Sequence, residues 1–97
     1  MPQETFESFQ AQMLSQGFDL VSIKEWAPHF SNELHEHDWH TTALVAKGDF
    51  WLTRHGETIH LKKGDLFTVS RGEVHSEKYG SEGATFWAAR KNDSVTV

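Results

Sequence analysis

Cysteine is absent from this 97-residue chain, which excludes disulfide bonds and thiolate metal ligands. Any metal ion must therefore be held by nitrogen and oxygen atoms. Lysine and arginine number only 9 against 14 acidic residues, and the net charge of −5 argues against nucleic acid as the main partner. No apolar run approaches the roughly 20 residues of a membrane span, and the N-terminus lacks the basic and apolar regions of a signal peptide. We therefore expect a soluble, cytoplasmic protein.

Aromatic residues and histidine, by contrast, are abundant: the chain has four tryptophans, seven phenylalanines and seven histidines. Large aromatic side chains bury enough area to build a core, even though the apolar fraction is only 37%. A chain of this length predicts a single domain. Within it we expect an N-terminal helical segment in residues 1–19, a β-barrel in residues 20–90 and a polar tail in residues 91–97.

The pattern along the chain predicts one helix followed by short strands. Phe6, Phe9 and Met13 recur at helical spacing before Gly17, so a helix is expected over residues 5–16, although Thr5 and Ser8 do not make the usual capping pair. From residue 20 onward, apolar runs alternate with glycine-containing segments, which is typical of a sandwich or barrel. Strands are expected at 20–26 and 66–69, among others. A loop is expected at 28–33, and turns are expected at 47–49, 55–56, 62–65, 70–73 and 80–83.

The segment 33–50, ELHEHDWHTTALVAKGDF, contains the strongest candidate for a functional site. Side chains two apart on an extended segment point the same way, so His35 and His37 direct two imidazoles towards one point. His75, after the turn at 70–73, offers a third metal ligand. His40 would face away on a straight strand and lie at the mouth of the pocket, whereas a turn or bulge after His37 would make it a fourth ligand.

The spacing of these residues resembles the cupin superfamily, whose motifs are approximately G-x5-H-x-H-x3-4-E-x6-G and G-x5-P-x-G-x2-H-x3-N. The matching positions are His35, His37 and Gly48 in the first motif and Gly64, Gly72 and His75 in the second. Thr41 stands where the family has its glutamate, and Ser70 and Tyr79 stand in the positions of the proline and the asparagine. The opening glycine of the first motif is also missing.

The resemblance implies a small single-domain cupin, that is, an all-β jelly-roll β-barrel, here with a short N-terminal helix. It also implies a divalent metal ion such as iron, manganese, nickel or zinc beside a small-molecule pocket. Trp39, Thr41 and Tyr79 are the candidate pocket residues. Threonine is a poor metal ligand, so the usual set of three histidines and one carboxylate is incomplete unless His40 completes it. Glu73 and Glu77 flank the third histidine at two-residue spacing and could replace the carboxylate in principle, but neither is assigned this role, and the direction of Glu73 cannot be read because it falls in a turn.

Two functions fit this pattern. Sites with three histidines and no carboxylate resemble those of thiol and diketone dioxygenases within the superfamily, which would make the protein a metal-dependent enzyme. Small size and an incomplete ligand set instead suit a non-catalytic module that binds or senses a small molecule. With either function we expect a homodimer, because a small barrel leaves strand edges and an outward-facing Trp51 for a partner to cover.

Overall fold

The computed structural model describes residues 5–92, in which one helix is followed by six β-strands. Helix α1 spans Phe6–Ser15. The strands are β1 (Leu20–Trp26), β2 (Ser31–His35), β3 (Trp39–Arg54), β4 (Glu57–Lys62), β5 (Leu66–Val69) and β6 (His75–Asn92). This is the all-β architecture with a short N-terminal helix that the sequence predicts. No helix within these residues is long and apolar enough to cross a membrane. Most of the expected polar tail, residues 93–97, lies outside the described part of the chain.

Helix α1 begins at a capping box that the sequence pattern did not indicate. The backbone N–H of Ser8 donates to the hydroxyl of Thr5 at 3.1 Å, and the backbone N–H of Thr5 donates to the hydroxyl of Ser8 at 3.0 Å. Serine here takes the place that glutamate usually has in this motif. Phe9 and Met13 are buried against Val21 of β1, so the apolar face of the helix covers the outside of the barrel.

The long strands β3 and β6 both continue through positions where turns were expected. The predicted hairpin turns at 47–49 and 80–83 are wrong, because each segment lies inside a strand. Register shifts between β3 and β6 mark bulges at these places instead. Glycine is required there because a Cβ atom added to Gly48 would meet the carbonyl oxygen of Gly83. These glycines allow two backbones to approach each other closely inside the sheet.

Strands β3 and β6 pair antiparallel and carry the shorter strands in two groups. In the first group, residues 39–48 of β3 pair with residues 84–92 of β6, and β1 and β5 flank them. In the second group, residues 50–54 of β3 pair with residues 75–79 of β6, and β2 and β4 flank them. Buried side chains from both groups form one apolar core. The arrangement is a jelly-roll barrel with its interior between the two groups.

Residues 31–35, mostly expected to lie in a loop, form the edge strand β2. Asn32 pairs with Glu77 of β6, and His35 pairs with His75. Five residues with little alternation give a weak sequence signal, and pairing with β6 decides their conformation. This short strand therefore brings one histidine of the first motif directly opposite the histidine of the second.

Candidate metal centre and ligand cavity

Three histidines from different parts of the described chain converge in the barrel. His35 ends β2, His75 begins β6, and His37 lies in the connection between β2 and β3. One ring nitrogen from each histidine lies within 4.8 Å of those of the other two. His75 is only 2% exposed, and its ring centroid lies 4.3 Å from that of His35. The three nitrogens are close enough to reach one metal ion after small side-chain rotations.

Hydrogen bonds to the backbone orient two of these rings. The Nδ1 atom of His35 lies 2.6 Å from the carbonyl oxygen of Glu33, and that of His75 lies 2.8 Å from the carbonyl oxygen of Glu73. A carbonyl only accepts, so Nδ1 carries the proton in both rings, and Nε2 keeps its lone pair when the ring is neutral. Hydrogen bonds of this kind are typical of histidines that bind metal ions. The chemistry of the donor set therefore fits a divalent transition metal.

The third ring, that of His37, is oriented by stacking. It lies on the indole of Trp39, with ring centroids 4.7 Å apart and an angle of 21° between the planes. The guanidinium carbon of Arg90 lies 3.8 Å from the centroid of the Trp39 ring. In addition, the carbonyl oxygen of His37 accepts a hydrogen bond from the N–H of Gly72 at 2.8 Å, which ties the β2–β3 connection to the loop before β6. The stacking on Trp39 and the hydrogen bond from Gly72 hold His37 in place although it lies outside any strand.

A carboxylate lies beside the histidines. The Oε2 atom of Glu77 is 3.0 Å from Nε2 of His75, and its Oε1 atom is 3.7 Å from Nε2 of His35. The side-chain amide of Asn32 donates to Oε1 of Glu77 at 3.0 Å. Glu77 and His75 are two apart on β6 and therefore project from the same face. Sequence reasoning placed Glu73 and Glu77 two residues to either side of His75 but assigned neither of them to the metal centre.

Burial and hydrogen bonding set the charges of this cluster. Burial lowers the pKa of His37 below 6.5, and the neighbouring His35 and His75 lower it further. Burial also acts to lower the pKa of His75, but hydrogen bonds to Glu77 and to a backbone carbonyl outweigh it and raise that pKa. Burial acts to raise the pKa of Glu77, but hydrogen bonds from His75 and Asn32 outweigh it and lower that pKa. Without a metal ion, the raised pKa of His75 and the lowered pKa of Glu77 favour an ion pair between them.

The cluster lies on the wall of a cavity of about 580 Å³. Trp39, Thr41 and Tyr79, the three candidate pocket residues, all lie on this wall, and so does Arg90. Tyr79 is 1% exposed, and burial raises the pKa of its hydroxyl well above the ordinary value of 10.0. The Tyr79 hydroxyl therefore stays protonated at neutral pH.

The other candidate ligands point elsewhere. His40 accepts a hydrogen bond on Nδ1 from the backbone N–H of Arg71 at 3.1 Å, and it is not among the residues that line the cavity. The carboxylate of Glu73 lies 2.8 Å from Nε2 of His55 and 3.3 Å from a guanidinium nitrogen of Arg54. Neither side chain is brought to the histidine cluster.

Sequence reasoning missed Asn32 and Arg90. Asn32 would have been placed opposite Glu77 if the strand at 31–35 and its register with β6 had been recognised. Arg90 lies near the end of β6, where the sequence offers only the alternation of the last strand. The position of Arg90 on the cavity wall depends on its pairing with Leu20 of β1 and Thr41 of β3, a register that the sequence does not specify.

Comparison with known families agrees with this geometry. The sequence profile of the cupin domain family matches residues 22–87, which include all three histidines of the cluster. The chain belongs to the cupin family. No curated protein matches this cupin in sequence.

Solved structures share the fold at low sequence identity. The cupin domain of Cnp3 from Schizosaccharomyces pombe has a TM-score of 0.70 and 19% identity, covering 77% of this chain and 56% of that chain. A Klebsiella pneumoniae protein with a double-stranded β-helix domain has a TM-score of 0.68 and 23% identity, covering 82% and 72%. A predicted oxalate decarboxylase from Thermotoga maritima has a TM-score of 0.68 and 22% identity, covering 84% and 72%. At these identities the likeness supports a common fold alone.

Proposed function

We propose that this cupin binds a divalent transition metal ion through His35, His37 and His75, beside a cavity that takes a small molecule. The observation that carries the proposal is the convergence of three imidazole nitrogens within 4.8 Å, two of them in rings whose Nδ1 atoms bond to backbone carbonyls. Imidazole ligands suit iron, nickel and zinc, and manganese becomes suitable when an oxygen donor is added. When bound, the ion would supply Lewis-acid chemistry or open positions for a ligand.

The cavity favours a small, mostly apolar molecule that carries a negative charge. Its apolar wall includes Ala43, Phe67, Val69 and Phe86. Arg90 is half-buried on the same wall, and its charge is close enough to His37 to contribute to lowering the pKa of that residue. Glu77 offers little repulsion to an anion because it is paired with His75. An acidic group on the ligand would therefore be attracted to the side of the cavity where Arg90 and His37 lie.

The described residues supply few groups for acid–base catalysis at this cavity. His40 and Tyr79 were the candidate bases, but His40 is bonded to the Arg71 amide and the Tyr79 hydroxyl stays protonated. This favours either a dioxygenase-type reaction, in which the metal centre does the chemistry, or a non-catalytic binding or sensing module. Both functions require the metal centre and the adjoining cavity.

Removal of single ligands tests the metal centre. We expect His37→Ala and His75→Ala each to remove most of the bound metal while leaving a folded barrel, because each variant loses one of the three imidazole ligands. Elemental analysis of the purified variants measures this, with circular dichroism to check folding. His60→Ala is the matched control, since His60 lies at the surface against Asp49 and Trp51. Unchanged metal content in both ligand variants would contradict the proposal.

Substrate screening separates the two functions. The metal-loaded protein is tested with thiols, diketones and oxalate, and the thiols and diketones include acidic and neutral compounds of similar size. Oxygen consumption and carbon dioxide release are measured for each compound. Oxalate is included because a structural neighbour is called a predicted oxalate decarboxylase. Turnover that disappears in His75→Ala identifies an enzyme. Calorimetric binding without turnover identifies a binding module.

A further inference from the structure

We propose that Glu77 is the carboxylate of this metal centre and that Asn32 holds it in position. The inference rests on the proposed metal site and concerns which residue completes it. Thr41, at the position of the family's glutamate, has a hydroxyl and no carboxylate. Glu77 instead reaches the histidines from β6, two residues after His75, so the missing oxygen ligand comes from the second motif.

The contacts of Glu77 bring its two oxygens to the ring nitrogens that would bind the metal ion. Nδ1 carries the proton in His35 and His75, so their neutral rings present lone pairs on Nε2. These two Nε2 atoms face the carboxylate oxygens of Glu77 at 3.7 Å and 3.0 Å. Lone pairs that face a carboxylate at such distances repel each other unless a proton or a metal ion lies between them. In the metal-free chain a proton on Nε2 of His75 bridges to Glu77, and a divalent metal ion bound to the imidazoles and the carboxylate would take its place.

Asn32 restricts where the carboxylate of Glu77 can go. Its amide donates to Oε1 of Glu77 at 3.0 Å and lies 3.5 Å from the hydroxyl oxygen of Tyr79. Asn32 and Glu77 are opposite each other in the β2–β6 register, so the backbone fixes the distance between them. With 10% of its side chain exposed, Glu77 has little room to swing into solvent. Asn32 acts as a positioning residue for this ligand.

The neighbouring acidic residues do not compete for this role. The Glu73 carboxylate is bound by His55 and Arg54, and it also accepts the backbone N–H of Ser70 at 3.1 Å. Glu33 lines the cavity, but its side chain is exposed and its backbone carbonyl is the group that contacts His35. Glu77 is therefore the carboxylate that touches two histidines of the cluster.

A carboxylate at this point affects which metal ion binds. Oxygen donors suit manganese better than a set made only of imidazoles, whereas zinc binds well to imidazole nitrogen alone. Replacing Glu77 by glutamine removes the charge and keeps the size of the side chain. We expect Glu77→Gln to weaken Mn²⁺ binding by more than about tenfold and to weaken Zn²⁺ binding less.

Calorimetric titration of the full chain with Mn²⁺ and Zn²⁺ measures the affinities, and the visible d–d spectrum of bound Co²⁺ reports a change of ligand without reference to any activity. Asn32→Ala keeps the carboxylate but removes its support, so we expect a loss of about tenfold. This variant also tests the inference if Glu77→Gln fails to fold. Glu36→Gln is the matched control, since it removes an equal charge from an exposed residue between His35 and His37 that does not line the cavity.

The outcomes separate this inference from the proposed function. Weaker Mn²⁺ binding and an altered Co²⁺ spectrum in Glu77→Gln, with wild-type behaviour in Glu36→Gln, support Glu77 as a ligand. If metal binding is lost in His75→Ala but Glu77→Gln and Asn32→Ala match the wild type in affinity and spectrum, the histidine site stands and the role of Glu77 is overturned. Equal losses in Glu77→Gln and Glu36→Gln would also overturn it, because they would reflect net charge alone. A wild-type chain that binds neither ion would overturn both proposals.

Discussion

Neighbouring residues on β3 take different roles because side chains alternate along a strand. Thr41 faces the cavity, whereas His40, one position earlier, bonds through Nδ1 to the Arg71 amide. The family's glutamate position therefore still faces the interior, although threonine occupies it. With Glu77 beside the histidines, a second carboxylate at position 41 would add a like charge to the same small space, which is unfavourable. Threonine at this position fits a centre whose carboxylate comes from β6.

A glutamate introduced at position 41 tests whether Glu77 takes the place of the family's glutamate at the metal centre. We expect Thr41→Glu to give little gain in Mn²⁺ affinity in the wild type, because two carboxylates would repel. In the Glu77→Gln background, Thr41→Glu should recover about tenfold in affinity by restoring one oxygen donor. Calorimetric titration of the single and double variants measures both effects.

The matched control is Thr42→Glu in the Glu77→Gln background, since Thr42 is the next residue on β3 and projects from the opposite face. Recovery in this control as well would show that charge alone restores affinity, and the placement of position 41 near the metal would be contradicted.

Retention of full metal content in His40→Ala would agree with the position of His40 outside the cluster.

Some of the strands could be predicted from their residues, and others could not. β1 and β5 were predicted at the bounds they have, because apolar runs and flanking turn residues define short strands well. β3 and β6 were each divided in two, because a glycine needed for close strand contact looks the same in sequence as a glycine in a turn. The spacing of His35 and His37 predicted their convergence. The contact of Glu77 with Asn32 depends on the register of β2 with β6, which the sequence does not specify.

The glycine that allows the β3 bulge can be tested by its effect on stability. Gly48 has φ of 74° and lies where a Cβ atom would meet the carbonyl of Gly83. Gly56, in the turn between β3 and β4, has φ of 75° and nothing within 4 Å of such an atom. Gly56→Ala should cost about 1–2 kcal/mol in free energy of unfolding for the backbone conformation alone. Gly48→Ala should cost about 1–3 kcal/mol more, because it adds a steric clash.

Urea denaturation of the two variants measures this difference, and the matching φ angles remove the backbone contribution from the comparison. Equal destabilisation of both variants would show that the close approach between β3 and β6 does not require glycine.

At the scale of the whole molecule, the N-terminal helix covers its own barrel and packs on the middle of an apolar row, whose ends stay open. Phe9 and Met13 pack on Val21, so these side chains need no partner chain. The row crosses the outer face of four strands and consists of Ile23, Trp87, Leu44 and Leu66, which are paired neighbours in the sheet register. Its two ends are the most open, with Ile23 at 49% and Leu66 at 58% exposure. Such a row on a small barrel is a candidate surface for self-association.

Trp51, the residue first expected at a dimer interface, is a weaker candidate in this structure. Its indole is half-buried and stacks on the imidazole of His60, with centroids 4.4 Å apart and an angle of 6° between the planes. It also lies opposite Lys78 in the β3–β6 register, so its surroundings are polar. Interface centres are depleted in charged residues, which favours the apolar row over Trp51.

We therefore predict a homodimer formed through the apolar row, with the two copies related by a two-fold axis as in most small oligomers. Light scattering at micromolar concentration should give about twice the chain mass of 11.1 kDa. Leu66→Glu should convert the dimer to a monomer. The two-fold axis would bring one new glutamate from each copy into the apolar contact, and burying both charges there is unfavourable. Trp51→Glu is the matched control and should remain dimeric. A monomeric wild type would refute the dimer, and a dimeric Leu66→Glu beside a monomeric Trp51→Glu would place the interface at β3 and β4 instead.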